Sequence, residues 1–247
     1  MSATVAGLFV YPVKSLGGIA VERYELDEFG PHLDRRWMVI DGAGAFQTQR
    51  WRPRMALIRT ALTEHGSVRL TAPGMEELIV PPGGGRSREV TVWKDTCRAE
   101  GCGAEADQWL STFLGGVCRM VFMPDSTVRP IGRAAPAPGR VSFADAYPLL
   151  LLSEASLADL NTRLGEPLPM NRFRPNIVVG GVPAFAEDGW RGFAAGDVRF
   201  AVTKQCVRCV LTTIDQETAA GGVEPLRTLA TYRRVADGVV FGVNLAH

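Results

Sequence analysis

The feature that most constrains this chain is a pattern repeated through its first half. Short segments that alternate apolar and polar residues, or are wholly apolar, are cut off by clusters of Gly, Pro and Asp. Val5 to Pro12, Ile19 to Leu26, Trp37 to Ile40, Ala45 to Thr48, Met55 to Leu62, Ser67 to Thr71, Leu78 to Val80 and Glu89 to Trp93 all fit. Period-2 alternation over about 4–8 residues is the signature of a half-buried strand. Asp41-Gly42-Ala43-Gly44 has the composition of a hairpin turn. Close spacing of this kind leaves no room for crossover helices, so the pattern predicts an antiparallel barrel or sandwich.

Two segments change period. Ala106, Trp109, Leu110 and Phe113 fall on one face of a helix over 105–114, stopped by Gly115-Gly116. Ala155, Leu157, Leu160 and Leu164 do the same over 153–164, with Ser153 placed to cap and Gly165 to stop it. Strands are expected again at 176–179, 198–203 and 209–214. The Pro- and Gly-rich stretch 126–139 reads as a linker or long loop. The expectation is a mixed α/β, β-rich protein with domains at 1–125 and 126–247.

Composition excludes more than it selects. A net charge of +1 leaves no nucleic-acid footprint. Five cysteines, an odd number, do not suit a secreted disulfide framework and fit a reducing compartment. The first residues lack a signal peptide's basic start and apolar run, and no apolar run reaches membrane-spanning length. These readings make the cytoplasm the expected location.

Four clusters carry chemistry. Lys14-Ser15 ends a strand with a cation and a hydroxyl, a pair able to grip an anion and equally at home in a solvated loop. In Asp34-Arg35-Arg36-Trp37, adjacent arginines on extended backbone point to opposite faces. In Asn171-Arg172-Phe173-Arg174-Pro175-Asn176, extended backbone puts Arg172 and Arg174 on one face, as an anion site or a salt-bridged turn. Cys206-Val207-Arg208-Cys209 sets two thiols around a guanidinium, which favours a thiolate. The β-branched run after it reads as strand, so the pair does not match a helix-terminal dithiol redox centre. Two small buried hydrophobes are the plain alternative. A zinc site using Cys97 and Cys102 lacks the usual spacing and a nearby His.

Taken in order, YPVKS, LDRRWMVID, FADAYPLLLLSEASLADLN, RFRPNIVV, FAEDGWRG and CVRCVLTTID resemble the MOSC-domain proteins that also carry a MOSC N-terminal β-barrel domain. That group includes the mitochondrial amidoxime-reducing component. The resemblance implies a molybdenum cofactor (molybdopterin), with Cys209 as the one protein ligand of the metal and Cys206 as its neighbour. Lys14, Ser15, Arg35, Asp145, Arg174, Asn176 and Arg208 then hold the pterin and its phosphate. The implied activity is reduction of amidoximes, hydroxylamines or N-hydroxylated bases. Its electrons come from a separate reductase or small redox protein, since this sequence shows no flavin or iron–sulfur motif. A persulfide-carrying sulfur-transfer role, or a non-catalytic barrel that binds an anion or a partner, are the alternatives. Ala146-Tyr147 stand where relatives carry small hydroxyl residues. The family's usual last strand, built on a Gly-Asp pattern, is expected to be missing beyond Phe241 to His247, which leaves a barrel edge uncovered.

Overall fold

The computed structural model describes residues 3–247. Most of the second half forms one sheet. Its strand order is Gly192–Ala195, Val198–Val207, Gly238–Ala246, Leu149–Ser153, Ile177–Gly180, Thr4–Val10 and Ile19–Val21, with Arg234–Val235 paired to Gly238–Ala246. The first strand of the chain therefore lies in the sheet of the second half, antiparallel to Ile177–Gly180. The rest of the first half builds a four-stranded sheet, ordered Trp37–Ile40, Arg119–Phe122, Asp95–Gly101 and Ser87–Val92. A three-stranded meander, Arg59–Leu62, Val68–Thr71 and Leu78–Val80, completes it.

Alternation decides which core each side chain enters. Trp37 and Val39 join one cluster with Met55, Ile58, Leu70 and Leu110, while Met38 and Ile40 join Val90, Val121 and Phe143 on the opposite face. A strand buried on both faces reads as a continuous apolar run. Burying four such side chains stabilises by about 1.5–3 kcal/mol each before the entropy of ordering them is counted. The helix Ala104–Leu114 buries Ala106, Trp109, Leu110 and Phe113 and ends on Gly115 at φ 70, as the apolar stripe requires. The second helix is shorter than expected, Glu154–Asn161, with the Ser153 hydroxyl accepting from the Ser156 N–H. It stops because Asn161 turns its side chain onto both backbone groups of Leu168.

Two expectations need correction. The run after Cys209 is a single 3-10 turn, Val210–Thr213, and not a strand. The Thr212 and Thr213 hydroxyls donate to the Cys209 and Val210 carbonyls, and Leu211, Thr212 and Thr213 are buried. Local hydroxyl bonds and burial override β-branched propensity here. The strand argument against a helix-terminal dithiol therefore falls, although only a four-residue turn follows Cys209. At the other end, Gly238–Ala246 is a nine-residue strand paired on both sides, with Val198–Val207 and Leu149–Ser153. The sheet's outer strands are Gly192–Ala195 and Ile19–Val21. The 126–139 stretch is a long loop, one of the two readings expected, and it is tied down. Thr127 donates to the Arg98 carbonyl, and buried Arg129 reaches Asp95 and the carbonyls of Ser142, Ala144 and Asp145.

Candidate functional site

Every residue singled out for the site lines one cavity of about 290 Å³: Lys14, Ser15, Arg35, Asp145, Arg174, Asn176, Arg208 and Cys209. They arrive from loops at the ends of different strands, the usual way a rigid sheet presents chemistry. Lys14 and Ser15 follow Thr4–Val10; Arg35 precedes Trp37–Ile40; Asp145 precedes Leu149–Ser153. Arg174 and Asn176 precede Ile177–Gly180, and Cys206 to Cys209 span the end of Val198–Val207. Arg50 and Lys204, which sequence reasoning passed over, line the cavity as well. Six cationic side chains thus surround it, against the single carboxylate of Asp145 in the lining.

The backbone is strained at three of these positions. Ser15, Arg35 and Arg174 have φ values of 64°, 50° and 58°. A left-handed conformation costs a non-glycine residue about 1–3 kcal/mol and persists where surrounding structure enforces it, often at functional sites. At Arg174 the left-handed turn also separates two side chains that extended backbone would have put on one face. Arg172 ends a 3-10 turn, Met170–Arg172, and runs to the Thr212 carbonyl and Asp215, whereas Arg174 enters the cavity and donates to the Leu16 carbonyl at 2.6 Å. The expectation that both arginines share a face is corrected. The adjacent pair Arg35 and Arg36 does split, though with Arg35 left-handed at a turn and not on extended backbone. Arg35 bonds the Asn176 side-chain oxygen at 3.0 Å, and Arg36 points away to the Met123 carbonyl and Asp125.

Asp34 anchors this arrangement from beneath. It is 1% exposed and accepts from the Tyr11 N–H at 2.8 Å, the Asn176 amide at 3.0 Å and the Arg35 guanidinium. Burial raises its carboxyl above the ordinary value, which Arg35 and these hydrogen bonds partly counter. Nothing in its sequence context separates Asp34 from a solvated acid; only its burial does.

On the opposite side, Lys14 is 4% exposed and donates to the Phe143 carbonyl at 2.7 Å and to Asp145 Oδ1 at 2.5 Å. Burial pulls its ammonium down to about 8, with Asp145 opposing. Asp145 also accepts from Trp93 Nε1 and Arg50, each at 3.1 Å. Burial alone would raise its pKa, yet Lys14 and Arg50 hold it well below the usual carboxylate range. Asp145 is therefore a fixed anion that only accepts hydrogen bonds. Its side chain stays 55% accessible from the cavity.

Two guanidiniums carry unspent hydrogen-bonding capacity. Arg174 Nη2 and Arg208 Nε are buried without a partner. Burial pushes Arg174 down to about 10, and Arg35 beside it adds repulsion. Arg208 spans the Phe173 carbonyl at 2.6 Å and Cys206 Sγ at 3.1 Å. Cys209 is half-buried, and Arg50 senses it: burial lowers the Arg50 guanidinium, but Asp145 and then the Cys209 sulfur raise it overall. Each cavity cysteine thus has its own arginine. Cys97 and Cys102 pack into different cores, and no three His, Cys, Asp or Glu side chains cluster among the described residues.

A strand-built cavity with a thiol and convergent cations has the chemistry to suit an anionic ligand. The comparisons narrow it. Residues 2–116 match the MOSC N-terminal beta barrel domain and residues 138–247 match the MOSC domain. The chain is 37% identical to mitochondrial amidoxime reducing component 2 of Bos taurus, over 93% of this chain and 72% of the relative. It is 38% identical to mitochondrial amidoxime-reducing component 1 of Mus musculus (93% and 71%) and 36% identical to the human component 1 (94% and 72%). The chain belongs to the MOSC family, among the proteins that carry both domains. No helix among the described residues is long and apolar enough to cross a membrane.

Proposed function

We propose that this protein is a molybdenum-cofactor-dependent oxidoreductase that reduces N-hydroxylated compounds such as amidoximes, hydroxylamines or N-hydroxylated bases. One observation carries the reading: Arg174 and Arg208, whose guanidiniums each keep one buried nitrogen without a partner, line the same cavity as Cys209. A buried donor without an acceptor costs about 1–3 kcal/mol, which the oxygens of an anionic ligand relieve. A pterin dithiolene phosphate is such a ligand, and a soft metal already bound by sulfur accepts one more thiolate. The donor set therefore fits the group.

In this reading Cys209 ligates the metal, with the Arg50 guanidinium beside it. Arg174, Lys14, Ser15, Arg35, Asn176 and Arg208 hold the phosphate and pterin, and Asp145, locked as an acceptor, orients ring N–H groups. When bound, the cofactor supplies the electron pair that removes the oxygen of an N–OH group as water. The protein binds, orients and tunes. Arg208 on Cys206 Sγ places a positive charge next to the ligand cysteine, a neighbour that shapes its potential. Electrons arrive from a separate reductase or small redox protein. The five free cysteines support a reducing compartment, and we place the protein in the cytoplasm.

The test is the metal and pterin content of purified wild type, Cys209→Ala and Cys206→Ala after expression with ample molybdate. Stoichiometric molybdenum with pterin is expected in the wild type, retained without Cys206 and lost without Cys209. Molybdenum that survives Cys209→Ala overturns the ligand assignment. A wild type free of both supports a non-catalytic anion-binding barrel instead.

A further inference from the structure

Resting on that function, we infer that Trp93, with Trp51 beside it, forms an aromatic ledge at the lip of the cavity that selects planar aromatic N-hydroxylated substrates. Both indoles are large and open, Trp51 53% and Trp93 43% exposed. Both pack on one buried ring: Phe46 lies 5.4 Å from Trp51 and 4.9 Å from Trp93, centroid to centroid. The aromatic group is tied to the site at two points. Trp93 Nε1 donates to Asp145 Oδ1, and the Arg50 guanidinium stands 4.7 Å over the Trp93 ring. Asp145 and Arg50 both line the cavity.

The local backbone makes Trp93 a costly choice for a mere turn residue. Val92 pairs with Asp95, so Trp93-Lys94 is a two-residue hairpin loop. Its first central residue has φ 57°, where glycine is the ordinary occupant. An indole there is strained, exposed and yet held at a fixed angle by Asp145. Rigid aromatic surface at low entropy cost is what a site uses to bind flat rings. The Arg50 cation fixes the other component of the ledge, since a guanidinium and an indole stack together and both accept a π-face. An alkyl substrate gains neither contact. The ledge thus discriminates by the body of the substrate while the cavity acts on its N–OH group.

The experiment uses cofactor-loaded protein and two probes, benzamidoxime and acetamidoxime. Trp93→Gly suits the turn and removes the ring; Trp93→Phe keeps a ring and removes the N–H donor. Stacking of one ring is worth about tenfold in binding. The aryl-to-alkyl ratio of kcat/KM should therefore fall about tenfold in Trp93→Gly and stay near the wild-type value in Trp93→Phe. An unchanged ratio in Trp93→Gly overturns the ledge, as does loss of molybdenum from that variant, which would assign the indole to the cofactor. If wild type turns over neither probe, the proposed function fails, and calorimetric binding of benzamidoxime still decides the ledge. Binding lost in Trp93→Gly supports it, and equal affinity overturns it.

Discussion

Replacing Arg174 with methionine should make the ligand-free protein more stable while destroying its hold on the anion. The guanidinium is 8% exposed, has one hydrogen bond in the fold, to the Leu16 carbonyl, and keeps Nη2 without a partner. Burial takes it from 12.5 to about 10. At 1.36 kcal/mol for each pKa unit, holding this charge costs the fold about 3 kcal/mol. Methionine retains much of the aliphatic stem against Tyr11, whose ring the guanidinium overlies at 4.3 Å. It forfeits the bond to Leu16, about 1 kcal/mol. The net gain is about 2 kcal/mol, or about 4–8 °C in Tm for a chain of this size. Urea and thermal unfolding of the cofactor-free proteins, with and without added inorganic phosphate, measure it. Phosphate should raise the wild-type midpoint and leave the variant unmoved. A variant less stable than wild type without phosphate would show that Arg174 is a strut of the fold and refute the reasoning.

Two further outcomes test the site's electrostatics. Lys14 is lowered by burial from 10.5 to about 8, so the unfolded chain binds its proton more tightly than the native one. Stability of the cofactor-free protein should rise with pH from about 8 to 10, and Lys14→Met should flatten that rise; urea midpoints across the window check it. Above 10 Tyr11, pushed up to about 12 by burial, pulls stability down, while Arg174, lowered to about 10, pulls it up. Asp34→Ala removes the acceptor shared by Tyr11, Arg35 and Asn176 and should cost about 3 kcal/mol. A loss under 1 kcal/mol in chemical denaturation would show that Arg35 and Asn176 stand without it.

The sequence made some levels of this protein legible and left others closed. The helix over Ala104–Leu114 was readable because four apolar residues at helical spacing and a terminal glycine agree with its burial. The divergence of Arg172 from Arg174 was not, because a 3-10 turn and then a left-handed residue replace the extended backbone, and arginine gives no local sign of positive φ. Arg50 and Trp93 were passed over for a related reason. Their meaning lies in Asp145, 95 and 52 residues away in the chain.

By itself the sequence determined the strand-rich class, two helices, the chemical clusters and the family they resemble, since periodicity and ordered motifs are short-range properties of the chain. Only the tertiary structure decided that Thr4–Val10 would lie beside Ile177–Gly180. That pairing sets Lys14 and Ser15 against Arg174 and Asn176 in one cavity. Burial there, which no local pattern encodes, lowers Lys14 and Arg174, offsets Asp145 and leaves two guanidinium nitrogens unpartnered. Desolvation and charge proximity are long-range consequences of the fold, and the chemistry of this site depends on both.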